Sequence, residues 1–335
     1  MNNPSISPSI SIIIPVYNGG ENFKICLKQL LLASPKPLEI IVVDDASQDN
    51  SKEFAESLEV MVINNPTNQG PAKARNQGAS IAKGDILLFI DADVAVSIDI
   101  ISRVTSLFEQ NQAVSAIFGS YDDSPGDKNF LSQYRNLLHH YIHQTANSSA
   151  NTFWTGCGGV KRNIFLALGG FDEKRLAIED IEFGYRLKAA NHQILLDKSL
   201  QVKHLKRWTI LSLLKTDFFV RALPWSEMIL QGQVFVNDLN LTYSSRISVM
   251  LAFSLPTSLL FSCYIPTILI FSISCIFGLL ALNWKLYNFF FYKRGFLFTL
   301  QVLPWHWIYY IYSGLAFLIA ILKVRILKPL QRLDN

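Results

Sequence analysis

Charge is scarce in this chain. Of its 335 residues only 17% are Asp, Glu, Lys or Arg, while 50% are hydrophobic. That balance excludes a disordered or acidic solvating chain, and its charge falls below that of ordinary soluble domains. Acids almost vanish toward the end. After residue 240, Asp334 is the one carboxylate, set against eight Lys and Arg. Cysteine is sparse too. Cys26, Cys157, Cys263 and Cys275 show no CxxC spacing, which removes thiol metal sites and a disulfide framework and predicts a reducing compartment. No basic stretch precedes the first apolar run, and Pro15 interrupts that run. The sequence thus predicts no secretory leader and a front domain on the cytoplasmic side. No internal repeat or low-complexity tract is present.

What is there divides in two. From Ile247 to Trp284 no side chain is charged. One helix needs roughly 20 apolar residues to cross a bilayer core, so this run has room for two, with Pro256 and Pro266 as places to break or kink. A second apolar stretch, Gly295 to Leu322, carries Trp305, Trp307, Tyr309, Tyr310 and Tyr312, aromatic residues of the kind found at membrane interfaces. We expect residues 1–235 to form a cytoplasmic domain and 236–335 a membrane domain. The latter would have about three helical spans (247–264, 266–284 and 304–322) and an interfacial segment, 286–303. Lys285, Lys293 and Arg294 in the loop, and Lys323, Arg325, Lys328 and Arg332 in the tail, both favour the inner side. Three spans cannot satisfy both clusters.

The front alternates strand-like and helix-like stretches. Ser11–Pro15, Leu38–Val43, Glu59–Asn64 and Asp85–Ile90 read as strands; Glu21–Ala33, Ser51–Leu58 and Pro71–Lys83 read as helices. Continuous apolar strands between helices predict an α/β fold with a mostly parallel sheet covered on both faces. Ligands of such sheets bind at the carboxyl ends of the strands, where Tyr17-Asn18, Asp44-Asp45 and Asp91/Asp93 fall. Residues 120–150 read as a mobile loop leading into a helix around Leu131–Tyr141. His139, His140 and His143 on that helix read as surface or acceptor-side residues.

Asp91-Ala92-Asp93 closes a buried strand, DILLFI. Two carboxylates one residue apart can share a hard divalent cation, Mg²⁺ or Mn²⁺, that keeps positions open for a diphosphate. A solvated strand end is the bland alternative.

These segments resemble a known family. IIIPVYN (Ile12–Asn18), IVVDDASQDNS (Ile41–Ser51), NQGPAKARNQG (Asn68–Gly78) and LLFIDAD (Leu87–Asp93) stand in the order seen in family 2 glycosyltransferases. TGCGGVKR (Thr155–Arg162), GGFDE (Gly169–Glu173) and EDIEFGYRL (Glu179–Leu187) match its later motifs. The resemblance, over roughly residues 10–225, implies a GT-A nucleotide-diphospho-sugar transferase fold of the membrane-anchored bacterial type. It also implies a UDP- or GDP-sugar donor and inverting, Mn²⁺- or Mg²⁺-dependent transfer. By the same resemblance Pro15, Tyr17, Glu21, Asp44, Asp45, Arg75, Asn76 and Asp91 would serve the donor nucleotide. Asp91 and Asp93 would hold the metal, with His204 as a third ligand. Of the pair Glu179 and Asp180, Asp180 would be the general base, with Glu182 its rival. Gly156, Cys157, Gly158, Arg207 and Trp208 would line the acceptor or donor sugar.

One departure stands out. His204-Leu205-Lys206-Arg207-Trp208 replaces the Gln-x-x-Arg-Trp of the family's polysaccharide synthases, which disfavours processive polymerisation. The sequence therefore points to a hexosyltransferase of the cell envelope, multi-pass in the plasma membrane. It would act on a hydroxyl of a lipid or lipid-linked saccharide, with no nucleic-acid partner. The alternatives are a polyprenyl-phosphate glycosyltransferase, a processive synthase, or an inactive membrane scaffold.

Overall fold

The structure is a computed structural model that describes residues 7–175, 177–232 and 242–327. The boundary expected at 235/236 and the tail cations Lys328 and Arg332 lie outside the described residues. The chain separates into two compact units, Met1–Arg207 and Trp208–Asn335.

The first unit is built on strands β1 (Ile10–Val16), β2 (Glu39–Asp44), β3 (Met61–Asn64), β4 (Ile86–Ile90), β5 (Val94–Ala95), β6 (Val114–Tyr121), β7 (Cys157–Lys161) and β8 (Gln193–His204). Their order in one sheet is β3-β2-β1-β4-β7-β6-β8-β5. The β3-β2-β1-β4 half is parallel. In the other half β7 runs antiparallel to both β4 and β6, and β5 antiparallel to β8, while β6 and β8 are parallel. The sheet is thus mixed, as a GT-A-like fold requires.

Alternation within the apolar runs explains why both faces are buried. Ile12, Ile14, Leu88 and Ile90 join one core, and Ile13, Leu87 and Phe89 join the other. Helices α1 (Gly20–Leu31) and α4 (Ile100–Gln110) supply the first core through Phe23, Cys26, Leu27 and Leu30, and through Ile100, Ile101, Val104 and Phe108. Those spacings follow one face of a helix. The second core is covered by α3 (Pro71–Ile81), α6 (Arg162–Ala167) and α7 (Glu179–Ala189), through Ala72, Ala74, Phe165, Phe183 and Leu187. Pro71 opens α3 after Gly70, whose φ of 89° suits glycine alone. The remaining helices are α2 (Ser51–Glu56) and α5 (Phe130–Thr145). α5 is longer than the segment read from the sequence, and Asn129 caps it by accepting from the Ser132 amide at 2.9 Å.

The second unit is helical: α8 (Ile210–Lys215), a π-helical turn (Thr216–Ala222), α9 (Leu223–Leu230), α10 (Tyr243–Ser262), α11 (Ile268–Leu282), α12 (Trp284–Arg294) and α13 (Phe296–Ile321). Among the described residues two helices, Tyr243–Ser262 and Phe296–Arg325, are long and apolar enough to cross a membrane. A third crossing is counted if α11 and α12, bent by 66° at their break, form one span. Pro256 lies inside α10, whereas Pro266 separates α10 from α11. The stretch expected to be interfacial, 286–303, holds the turn at Gly295 (φ 83°) from which α13 starts. Polar side chains bond between these helices: Ser272 to Ser258 at 2.8 Å, Asn283 to Ser248 at 3.0 Å, and Tyr310 to Asn283 at 2.7 Å. Bonds of this kind hold helices together where little water competes.

Candidate active site

The carboxyl ends of β1, β2 and β4 gather the polar residues the sequence marked, and the structure assigns them unequal work. Asp45 is buried and saturated. Its Oδ1 accepts from Asn65 Nδ2 at 2.8 Å and the Gln69 amide at 3.0 Å, and its Oδ2 from the Gln69 and Gly70 amides at 3.0 and 2.8 Å. Those bonds hold the loop that starts α3 and come from three donors, the Gln69 amide being shared between both oxygens. Asp44 accepts from the Ser47 amide at 3.1 Å through Oδ2, while its buried Oδ1 has no partner. Of the two carboxylates, Asp44 has an oxygen without a partner, and that atom is buried. Pro15 is paired with Val43 at the end of β1, next to Tyr17, which is half exposed. Glu21 pairs with Lys24 at 2.6 Å on the outer surface of α1.

Arg75 lies at the centre. It is 4% exposed, and its guanidinium donates to Glu179 Oε1 at 2.5 Å and to Asp91 Oδ1 at 2.7 Å. One cation from α3 thus ties the end of β4 to the start of α7. Burial works against that cation, but Asp91, Glu179 and Asp180 outweigh it and raise its pKa. Glu179 is committed to this pair, which leaves Asp180 as the catalytic candidate of the two. Asn76, expected at the nucleotide, bonds the GGFDE loop. It donates to the Phe171 carbonyl at 2.9 Å and Glu173 at 3.0 Å, and accepts from the Phe171 amide at 2.9 Å.

Asp180 sits in the first turn of α7, just after Ile178, whose φ of 56° is unusual for a β-branched residue. Strain of this kind gathers at functional sites. Oδ2 of Asp180 faces the Thr155 amide and hydroxyl at 3.3 and 3.4 Å, and Oδ1 faces the Ile181 amide at 2.8 Å. Burial first, and the neighbouring Glu179 second, raise its carboxyl above the ordinary value; Arg75 offsets part of this. Glu182, its rival, is held by Arg186 at 2.8 Å, and Arg186 also binds the Leu168 and Gly170 carbonyls. That network braces α7 and engages both Glu182 oxygens.

Asp93 and His204 meet where β5 pairs with β8, with Oδ2 and Nε2 3.6 Å apart. Burial opposes the charge on Asp93, yet His204 and Lys206 outweigh it and hold the group below the ordinary carboxylate value. Among the described residues no group of three or more His, Cys, Asp or Glu converges as a complete metal site. Asp93 offers a carboxylate, the donor type that Mg²⁺ and Mn²⁺ favour, with the His204 imidazole beside it. Asp93 and His204 face each other at 3.6 Å, and Asp91, two residues before Asp93 in the chain, is bonded to Arg75. Mg²⁺ in phosphate sites is typically held by one or two carboxylates plus phosphates.

Cys157 is fully buried, and burial pushes its thiol up to about 12, so it packs and does not attack. The segment Cys157–Lys161 is strand β7. A Cβ at Gly156 would stand 2.1 Å from the Trp154 indole, and one at Gly158 2.3 Å from the Trp154 carbonyl oxygen. Both glycines seat protein atoms. Arg207 projects outward, its side chain 75% exposed and 3.8 Å from Asp127. Trp208 belongs to the second unit, where it is buried under Arg221 at 5.8 Å. His140 and His143 are buried rather than on the surface: His140 Nδ1 donates to the Tyr121 carbonyl at 2.7 Å, and His143 Nδ1 to the Gly119 carbonyl at 3.2 Å. Sequence reasoning missed Trp154 and Tyr121. A Trp directly before a glycine-spaced strand was the available signal for the first.

Comparison with known proteins gives a concordant result. Residues 11–169 match the sequence model of the family described as Glycosyl transferase family 2. An uncharacterized glycosyltransferase of Haemophilus influenzae is 31% identical over 195 residues, 53% of this chain and 61% of that protein. Glycosyltransferase GlyG of Streptococcus pneumoniae is 32% identical over 130 residues, 37% of this chain and 43% of that one. The matched regions thus span less than two thirds of these relatives. A mannosyltransferase from Pyrobaculum calidifontis, PcManGT, solved in complex with GDP-Man and Mn²⁺, has the same fold. It superposes with a TM-score of 0.59 at 16% identity and covers 94% of this chain and 88% of its own.

Proposed function

Since the chain belongs to glycosyltransferase family 2, we propose that it transfers one sugar, with inversion, from a UDP- or GDP-sugar to a hydroxyl of a lipid or lipid-linked saccharide at the cytoplasmic membrane face. The observation that carries this reading is the division of labour among four carboxylates. Arg75 locks Asp91 and Glu179 together. Asp180, beside them, has its carboxyl raised by burial and by Glu179, and its Oδ2 meets only the long contacts from Thr155 at 3.3 and 3.4 Å. Asp93 faces His204 on the other side.

In the proposed reaction the acceptor oxygen forms a bond to the anomeric carbon as the bond from that carbon to the nucleoside diphosphate breaks. Asp180 takes the hydroxyl proton, and the diphosphate leaves with the bonding pair. Asp93 and His204, with Asp91, would hold Mn²⁺ or Mg²⁺, which when bound neutralises charge on the departing diphosphate. The PcManGT complex with GDP-Man and Mn²⁺ supports the choice of donor and cation. The long apolar helices support a membrane location.

The test uses full-length protein in isolated membranes with labelled UDP- and GDP-sugars. Asp93→Asn and EDTA should each abolish transfer into the lipid fraction. Full activity in either condition contradicts the metal-dependent reading.

A further inference from the structure

Four aromatic rings outside the carboxylate cluster meet on one side of it. Trp154 stands nearly perpendicular to Tyr121, His139 and His143, with ring centres 4.8, 5.4 and 5.4 Å away. Tyr121 in turn stacks on His204 at 4.3 Å. Trp154 also precedes Thr155, whose amide and hydroxyl reach Asp180. The wall therefore runs from the Asp93–His204 pair to the base.

It is ordered from behind. His143 Nδ1 faces the Gly119 carbonyl, so that nitrogen carries the proton, and its Nε2 accepts from His139 Nε2 at 3.0 Å. Burial first, and His140 beside it, bring His143 down to about 4, so this imidazole is neutral near pH 7. Tyr121, His143 and His204 are buried, whereas Trp154 and His139 keep part of their surface open. Both glycines of the Gly156-Cys157-Gly158 segment are spent on seating the indole and its carbonyl. The fold thus fixes a partly exposed Trp one residue from the base's own hydrogen-bond partner.

We infer that Trp154, with His139 beside it, is the platform on which the acceptor lies, and that this acceptor is a saccharide. The inference rests on the transfer reaction proposed above. A pyranose shows C–H groups on its face and hydroxyls on its rim. An indole offers it a broad apolar surface with a polar edge, the lining that orients small ligands. A bare lipid phosphate would instead call for forked or ammonium donors. The wall offers imidazole and indole edges, and Lys206 nearby acts on Asp93. A saccharide hydroxyl on this platform lies next to Asp180, the group that needs a proton to remove.

The experiment uses the full chain in lipid nanodiscs with labelled nucleotide sugars. A set of octyl glycosides (glucoside, galactoside, N-acetylglucosaminide) and farnesyl phosphate serve as acceptors. Transfer to at least one glycoside and none to farnesyl phosphate is expected. Trp154→Leu should raise the glycoside KM by about tenfold or more, with kcat at saturating acceptor within about threefold, and Trp154→Phe should recover most of the loss. Should Trp154→Leu not fold, wild-type protein carrying 5-fluorotryptophan reports the same contact. The ¹⁹F resonance assigned by Trp154→Phe should shift on adding the glycoside. Transfer to farnesyl phosphate alone, hydrolysis without transfer to any glycoside, an unmoved resonance, or an unchanged glycoside KM in Trp154→Leu would overturn the platform. Absence of both nucleotide binding and donor turnover in the wild type would instead sink the transferase reading beneath it.

Discussion

Replacing Arg75 with Met removes the one guanidinium that joins Asp91 of β4 to Glu179 of α7. The side chain is 5% exposed, Glu179 7% and Asp91 29%. The variant therefore leaves one carboxylate buried without its counter-ion and another partly so. Removing one partner of such a buried pair costs about 3–5 kcal/mol. For a unit of this size each kcal/mol shifts Tm by roughly 2–4 °C, so a drop of roughly 6–20 °C is expected. Arg75→Lys keeps the charge but cannot span both partners, and should lose about 1.5–3 kcal/mol, the worth of one bond to a charged group. The assay is thermal unfolding of full-length protein followed by intrinsic fluorescence, with sugar transfer measured below the transition. A variant in which Glu179→Gln accompanies Arg75→Met should regain part of the loss, because the orphaned charge is gone. If Arg75→Met melts within about 2 °C of wild type, the ion pair does not hold these elements together, and the reasoning fails.

Three further outcomes follow from the same geometry. With the Asp180 carboxyl raised by burial and by Glu179, the base is ionised only above that raised value. Transfer should then fall as pH drops through a limb well above the ordinary carboxylate pKa of about 4; a limb at or below 4 contradicts the assignment. Asp45→Ala strands the Asn65, Gln69 and Gly70 donors and should raise the KM for the donor by disordering the loop before α3, as measured by steady-state kinetics. Equal donor KM in the two proteins removes that role. Gly156→Ala would drive a methyl against the Trp154 ring and should cost about 1–3 kcal/mol in thermal unfolding, while an unshifted transition would show that the indole moves aside freely.

Local pattern carried much of this architecture. β1, β2 and β4 are covered on both faces, so their apolar runs are uninterrupted and readable as buried strands. β3 was legible although it is an edge strand, because Met61–Asn64 keeps a β-branched core. β7 was hidden: Cys-Gly-Gly-Val-Lys has the composition of a turn, and it is a strand because glycine lets Trp154 and Phe153 pack onto it. β6 and β8 pair across some 80 residues of chain with register shifts, and no local period encodes that. The site shows the same split. Strand-end carboxylates announce themselves in the sequence. The partners that decide their roles do not: Arg75 with Glu179 is a contact across 104 positions, and Asn76 with Phe171 one across 95. The sequence set Asp44 beside Asp45 and Asp180 ahead of Glu182, and tertiary hydrogen bonds give each its own partners.

The central claim is that Asp180 removes the proton from an acceptor hydroxyl, and Asp180→Asn tests it most directly. In full-length protein supplied with Mn²⁺, a nucleotide sugar and a hydroxyl acceptor, the account predicts nucleotide affinity close to wild type with transfer lowered by about 10²–10⁴. Transfer at the wild-type rate in that variant would contradict it.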